Sequence, residues 1–192
     1  YSFMRSISVY EKATIDHTLR TIRHLFAWSF ENGYMPKDLS SLVPRIRYQK
    51  FSKIPSAYTA AEVKQLLNVV DRENPIGKRD YVFLLFASRL GLRASDICGL
   101  KFENLKWETN RIELIQQKTG NILTIPLLED IGLAIIDYLK HGRPLTDSKH
   151  IFVMHVPPYN AFKASSLYTV VSRYMNKAKI PAPQGKKRGP HA

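Results

Sequence analysis

A single cysteine, Cys98, stands among 192 residues. That excludes an internal disulfide framework and fits a reducing compartment, the cytoplasm. No apolar run approaches the ~18–20 residues of a membrane span. No basic-then-apolar leader followed by small residues is present. A Gly-rich loop ending in Gly-Lys-Ser/Thr is missing, which disfavours nucleotide hydrolysis. His17, His24, His141, His150, His155 and His191 show no metal-ligand spacing with cysteine or carboxylates, so no metal is expected. Acid is also scarce. Sixteen Asp and Glu stand against 29 Lys and Arg, a net charge of +13, and no acid follows Asp147. With 44% hydrophobic residues the composition is that of a folded chain of one or two domains.

The positive charge sits at the two ends. Residues 1–53 carry +5, residues 54–147 are neutral, and residues 148–192 carry +8. Two basic surfaces on one scaffold suit a polyanion, because Lys and Arg that neutralise phosphates release condensed counterions. The same charge would also serve solubility alone.

Periodicity predicts a mainly helical fold with a small β-hairpin. Ile15, Leu19, Ile22, Leu25, Phe26 and Phe30 recur at steps of three and four, which predicts a helix over 14–32. Arg20 and Arg23 lie off that stripe and are expected to face water or a ligand. Asn32-Gly33 and Pro36 stop the helix, and a helical turn is expected over 38–42. Residues 44–58 read as an extended basic linker, with Arg45, Arg47, Lys50 and Lys53 interleaved with Tyr48 and Phe51 between prolines. Thr59-Ala60-Ala61-Glu62 is a capping box that opens a second domain. An almost wholly apolar helix over 79–90 is expected to be its buried centre. Gly91 ends that helix, and a short one follows over 94–100. Alternation over 111–116 and 121–125, separated by Lys118-Thr119-Gly120, predicts a hairpin with its tip at 118–121. Helices are expected over 129–141 and 167–179, and a short strand over 150–153. Trp28 and Trp107 are expected to pack in a core or at a domain edge rather than stack on bases.

Three positions carry the chemistry. Arg93, at a tight helix–helix junction in Gly91-Leu92-Arg93-Ala94-Ser95-Asp96, offers fixed bidentate donors to a phosphate beside helix N–H groups. Lys118 at a hairpin tip can project an ammonium into a groove. His191 lies in a basic Gly-Pro context after Lys186, Lys187 and Arg188. Taken singly, each has an ordinary structural explanation.

In this order they resemble the tyrosine recombinase, or phage integrase, family. The pieces are Gly91 to Leu100, Gln116-Gln117-Lys118-Thr119-Gly120, Ile125-Pro126-Leu127 and Gly189-Pro190-His191. The resemblance implies that residues 1–43 are part of a helical core-binding domain and that 59–192 are most of a catalytic domain. It implies a site-specific recombinase that cuts and rejoins double-stranded DNA through a 3′-phosphotyrosyl link, as a homo-oligomer, a tetramer in the full-length protein, and without cofactor. Arg93 becomes the first phosphate-clamping arginine, with Asp96 supporting it. Lys118 becomes the general acid on the 5′-oxygen, and His191 the first residue of a His-x-x-Arg box. Arg20, Arg23, Arg45, Arg47, Lys50, Lys53, Lys186, Lys187 and Arg188 become DNA contacts. None of the ten tyrosines follows His191, so no nucleophile is assigned. The chain opens at Tyr1 and stops at Ala192. It is expected to be a piece of a longer enzyme that binds DNA and is inactive alone.

A winged-helix regulator is the rival from another class. The helix to Leu90, the Gly91 turn and the short following helix imitate a helix-turn-helix, and the hairpin imitates a wing. The second helix is short for that motif, and the apolar helix before it is deeper than the motif needs.

Overall fold

The computed structural model describes residues 2–47 and 58–181. The chain divides into two compact units, Tyr1–Ile54 and Pro55–Ala192.

The first unit holds helix α1 (Ser2–Ile7), helix α2 (Lys12–Glu31) and a 3₁₀ turn, Ser40–Leu42. Asn32 closes α2, and Gly33 takes a positive φ of 75° just beyond it. Asp38 nucleates the 3₁₀ turn by accepting the Ser40 N–H at 2.7 Å. Ile7, Ile15 and Leu19 form its small core, with Val43 and Ile46 packed on them. The expected stripe on α2 is therefore buried only in its first half. Leu25 is 55% exposed and Phe30 45%. Too few apolar residues are described in this unit to cover a 20-residue helix along its whole length. Trp28 sits at the edge of this unit. It is half exposed and stacks on Tyr34 with ring centroids 5.3 Å apart.

The second unit begins with the capping box. Thr59 Oγ1 accepts the Glu62 N–H at 3.2 Å, and Glu62 accepts the Thr59 N–H at 2.7 Å. Helix α3 (Ala60–Asn68) follows, then α4 (Pro75–Leu90). The latter starts four residues earlier than its apolar run, because Asn74 caps it and Pro75 occupies the first turn. That is a sequence signal of helix starts that apolar periodicity does not register. Val82, Phe83, Leu84, Leu85 and Phe86 are each at most 2% exposed. At ~1.5–3 kcal/mol per buried side chain, they make α4 the spine of the unit. Phe83 packs on Phe152 and Phe162, at 4.4 and 4.9 Å between centroids.

Gly91 ends α4 in the left-handed conformation (φ 60°), and the short helix α5 (Ala94–Cys98) follows at once. Strands β1 (Leu105–Lys106), β2 (Arg111–Ile115) and β3 (Ile122–Pro126) form an antiparallel sheet in that order. The hairpin occupies the expected segments, pairing Ile115 with Ile122 and Arg111 with Pro126, and β1 is an addition too short to show a period. Helix α6 (Glu129–His141) packs on α4, and α7 (Ala164–Lys177) packs on α5. Ile131, Gly132, Ala134, Ile135 and Tyr138 form the buried face of α6, while Ile136 is 36% exposed. Trp107 is 42% exposed, with its ring edge over Gly132. Residues 150–153 are not a strand. Ile151, Phe152 and Val153 are wholly buried, and isolated bridges, Lys101 to His150 and Val153 to Ala161, replace a ladder, with Arg143 donating to the His150 and Ile151 carbonyls at 2.9 and 3.1 Å.

One feature of α4 has no counterpart in the sequence expectations. Asp80 is fully buried inside the apolar helix. It accepts from Arg79 Nε and Nη2 at 3.0 and 2.8 Å, from Arg173 Nη2 at 2.5 Å and from the Tyr174 hydroxyl at 3.2 Å. Arg79, itself 6% exposed, lies 4.3 Å from the Phe162 ring centroid. One carboxylate thus ties α7 to α4 through the Arg173 guanidinium and the Tyr174 hydroxyl, while Arg79 of its own helix compensates its charge. A charged Arg-Asp pair inside an otherwise apolar run was its sequence signal.

Candidate active site

The junction that presents Arg93 is built by burial on both sides. Leu92 is 9% exposed and Ile97 is wholly buried, so the backbone between them is fixed while the side chain of Arg93 stays 44% exposed. Arg93 is the N-cap residue of α5, in extended conformation. That helix has only five residues, so the aligned peptide dipoles expected to help bind an anion sum to little here. The charge of the site is the guanidinium itself.

Asp96 lies beneath it with a side chain of zero exposure. Its Oδ2 is 3.9 Å from Arg93 Nη1 and has no hydrogen-bond partner. Its Oδ1 accepts the Gln117 backbone N–H at 2.9 Å. Asp96 therefore touches both the arginine junction and the hairpin, one residue before Lys118. Gly99 lies against the end of the Gln117 side chain, whose Nε2 would stand 2.5 Å from a Cβ there. Asp96, Gly99, Gln117 and His150 line a polar cleft of about 300 Å³.

Lys118 is exposed at the tip. The turn is closed by Gly120 N–H to Gln116 O at 2.8 Å and by Gln116 N–H to Asn121 O at 2.9 Å. Thr119 Oγ1 donates to the Gln116 side chain at 2.9 Å, and Gly120 supplies a positive φ of 72°. Ile112 and Leu114 anchor the inner face of β2 in the core. A rigid base thus carries a solvated ammonium.

Of the proposed DNA contacts, Arg45 and Arg47 are exposed, outside any helix or strand. Arg20 is exposed and paired with Asp16 at 2.8 Å. Arg23 is not the solvent-facing residue expected. It is half buried, with its Nη2 3.5 Å from the Pro44 carbonyl. Lys50, Lys53, Lys186, Lys187, Arg188 and His191 lie outside the described residues. Among the described residues, no group of three His, Cys, Asp or Glu could hold a metal ion, and no helix is long and apolar enough to cross a membrane. Cys98 is buried, and burial pushes its thiol up to about 12, so it stays protonated and inert.

Residues 57–192 match the phage integrase family model. The chain belongs to the phage integrase family. It is 33% identical over 163 residues to an integrase/recombinase by name, y4rA, of Sinorhizobium fredii, covering 84% of this chain and 39% of that protein. It is 34% identical to the tyrosine recombinase XerA of Pyrococcus furiosus, over 71% of this chain and 46% of that one. Among solved structures, a lambda integrase dimer bound to a COC′ core site shares the fold with a TM-score of 0.69 at 16% identity, over 93% of this chain and 49% of that chain. The XerA recombinase crystal structure gives 0.58 at 18% identity, over 99% and 62%. The chain spans well under half the length of the first curated relative. Family membership favours the recombinase reading over the winged-helix regulator, whose likeness lay in one junction and one hairpin.

Proposed function

We propose that the protein to which this chain belongs is a site-specific DNA recombinase or integrase that cuts and rejoins double-stranded DNA in the cytoplasm through a 3′-phosphotyrosyl intermediate. Its subunits assemble on the DNA. Residues 1–43 belong to a helical DNA-binding domain, 44–58 to a basic linker, and the rest to the catalytic domain.

The observation that carries this reading is the double engagement of Asp96. A buried carboxylate without a second hydrogen bond faces Arg93, while its other oxygen holds the backbone beside Lys118. Two cations from separate elements are thereby referred to one anchor, as a single phosphate between them requires. Arg93 clamps a non-bridging oxygen pair and stabilises the charge of the five-coordinate phosphorus. A tyrosine oxygen attacks phosphorus, the bond from phosphorus to the 5′-oxygen breaks, and Lys118 delivers the proton that the departing oxygen takes up. No nucleophile is assigned within this chain. His191 is the candidate for the following His-x-x-Arg position.

Binding of a duplex by this chain, followed against salt, tests the reading. The log–log slope should be about −0.9 per phosphate contact, and Arg93→Ala should weaken binding and flatten the slope by about one contact. Affinity indifferent to both salt and Arg93 would exclude it.

A further inference from the structure

The outward face of the hairpin carries two isoleucines that are left exposed among the described residues. Ile115 is 68% exposed and Ile122 is 80% exposed, and they are direct cross-strand partners. Gln116 and Asn121, the next pair toward the tip, exchange a hydrogen bond. Pairs alternate along an antiparallel ladder, so Ile115 and Ile122 form a non-hydrogen-bonded pair, in which side chains approach most closely. The two therefore present one continuous aliphatic patch. Strand propensity does not demand it. Thr124, on the same face one step inward, satisfies the same backbone with a polar side chain.

The surroundings say what meets the patch. Toward the tip, three and four residues from the two isoleucines, is the exposed ammonium of Lys118. Away from the tip, the next outward pair is Glu113 with Thr124, both exposed. A polyanion can approach the Lys118 end but is repelled at Glu113. Between phosphates, the nearest apolar surface of a nucleic-acid strand is the edge of its deoxyribose rings. At ~3.4 Å per residue of strand, Lys118 lies within about 10 Å of Ile115 along the hairpin, so ammonium and patch meet the same short stretch of a nucleic-acid strand.

We propose that Ile115 and Ile122 form an apolar contact with the deoxyribose edges flanking the phosphate that Lys118 approaches, and so set the depth and tilt at which the hairpin meets DNA. This rests on the recombinase reading of the Arg93–Lys118 site. Glu113 is the stop that confines the contact to the hairpin end. The isoleucines exclude water beside the lysine, and ordering the strand at the sugars holds the bridging oxygen within reach of Nζ.

The test uses this 192-residue chain and a duplex that it binds. The double variant Ile115→Thr/Ile122→Thr keeps β-branched residues at exposed positions, and circular dichroism and a thermal melt check its fold. Affinity should fall roughly tenfold with an unchanged salt slope, because no phosphate contact is lost; Lys118→Ala should instead flatten the slope by about one contact. Hydroxyl-radical footprinting at saturating protein should show two or three protected sugars that regain reactivity in the double variant and stay protected in Lys118→Ala. Unchanged affinity and footprint in the double variant would overturn the contact and leave the recombinase reading standing. Sedimentation showing that the wild type self-associates and the double variant does not, with the sugar footprint intact, would assign the patch to a second copy of the chain instead. A wild-type affinity indifferent to Arg93→Ala and Lys118→Ala would remove the reading beneath it.

Discussion

The Gln117 N–H donates to Asp96 Oδ1 at 2.9 Å, joining a short helix to a hairpin 21 positions later in the chain. The other oxygen of the same carboxylate faces Arg93 at 3.9 Å, outside hydrogen-bond range. One buried group thus sets the base of the Lys118 turn and leaves a vacant acceptor under Arg93. A modest movement of the guanidinium onto a phosphate can complete that second bond, so anion binding and Asp96 satisfaction favour one another.

Asp96→Asn and Asp96→Ala separate the two roles. Asparagine still accepts from Gln117 through its carbonyl but removes the charge beneath Arg93. Alanine removes both, at about 1.5–3 kcal/mol for a hydrogen bond to a charged group. Hydrogen exchange of the Gln117 amide should stay slow in Asp96→Asn and speed up in Asp96→Ala. DNA affinity should fall in both. Fast exchange in Asp96→Asn would show that charge, rather than the acceptor, holds the hairpin.

Lys118 is tested in the full-length enzyme. Lys118→Ala should slow strand cleavage by roughly 10²–10⁴-fold while affecting binding far less. A substrate with sulfur at the 5′-bridging position loses its leaving group without a proton and should restore cleavage. Equal defects on the oxygen and sulfur substrates would leave Lys118 as a phosphate contact only.

The Asp80 cluster predicts stability. Asp80→Ala leaves Arg79 buried beneath Phe162 without its carboxylate, and should destabilise the second unit by roughly 3–5 kcal/mol. Arg173→Ala removes only the half-exposed partner and should cost far less. Urea midpoints of the two variants should differ in that order. Similar midpoints would mean that the loss of the Arg173 bridge, rather than the uncompensated charge of buried Arg79, sets the cost.

His155 predicts acid sensitivity. Burial, and then the positive charge of Arg79, lower its pKa from 6.5 to about 4, and its Nε2 has no hydrogen-bond partner. Its ring stacks on Tyr138 at 6.1 Å. The unfolded chain binds this proton more tightly, so the stability that neutral His155 contributes is complete above about pH 6.5 and is lost as pH falls toward 4. His155→Phe keeps the stack and should flatten the stability profile between those limits, read from urea midpoints. An unchanged slope would place the acid sensitivity elsewhere.

Local signals determined much of this protein. The capping box at Thr59 and Glu62, the Gly91 stop and the alternation of Arg111–Ile115 each depend on neighbours within a few residues, so they are visible in the chain itself. The positions of Arg93 and Lys118, at a junction and at a turn tip, follow from the same local rules. Tertiary structure decided what those rules do not reach. Whether the stripe on α2 is buried depends on how much apolar surface is available to cover it, and Leu25 and Phe30 stay about half exposed. Arg23 settled against Pro44 because a distant carbonyl lay within reach. Arg79 and Asp80 read as a break in an apolar helix, yet they are buried because Arg173 and Tyr174 arrive from 93 and 94 positions away to satisfy the carboxylate. The link from Asp96 to Gln117 is of the same kind. Its partner is a backbone amide, which every residue but proline carries, so no side-chain pattern could mark it in advance; only the fold brings that amide to the acid.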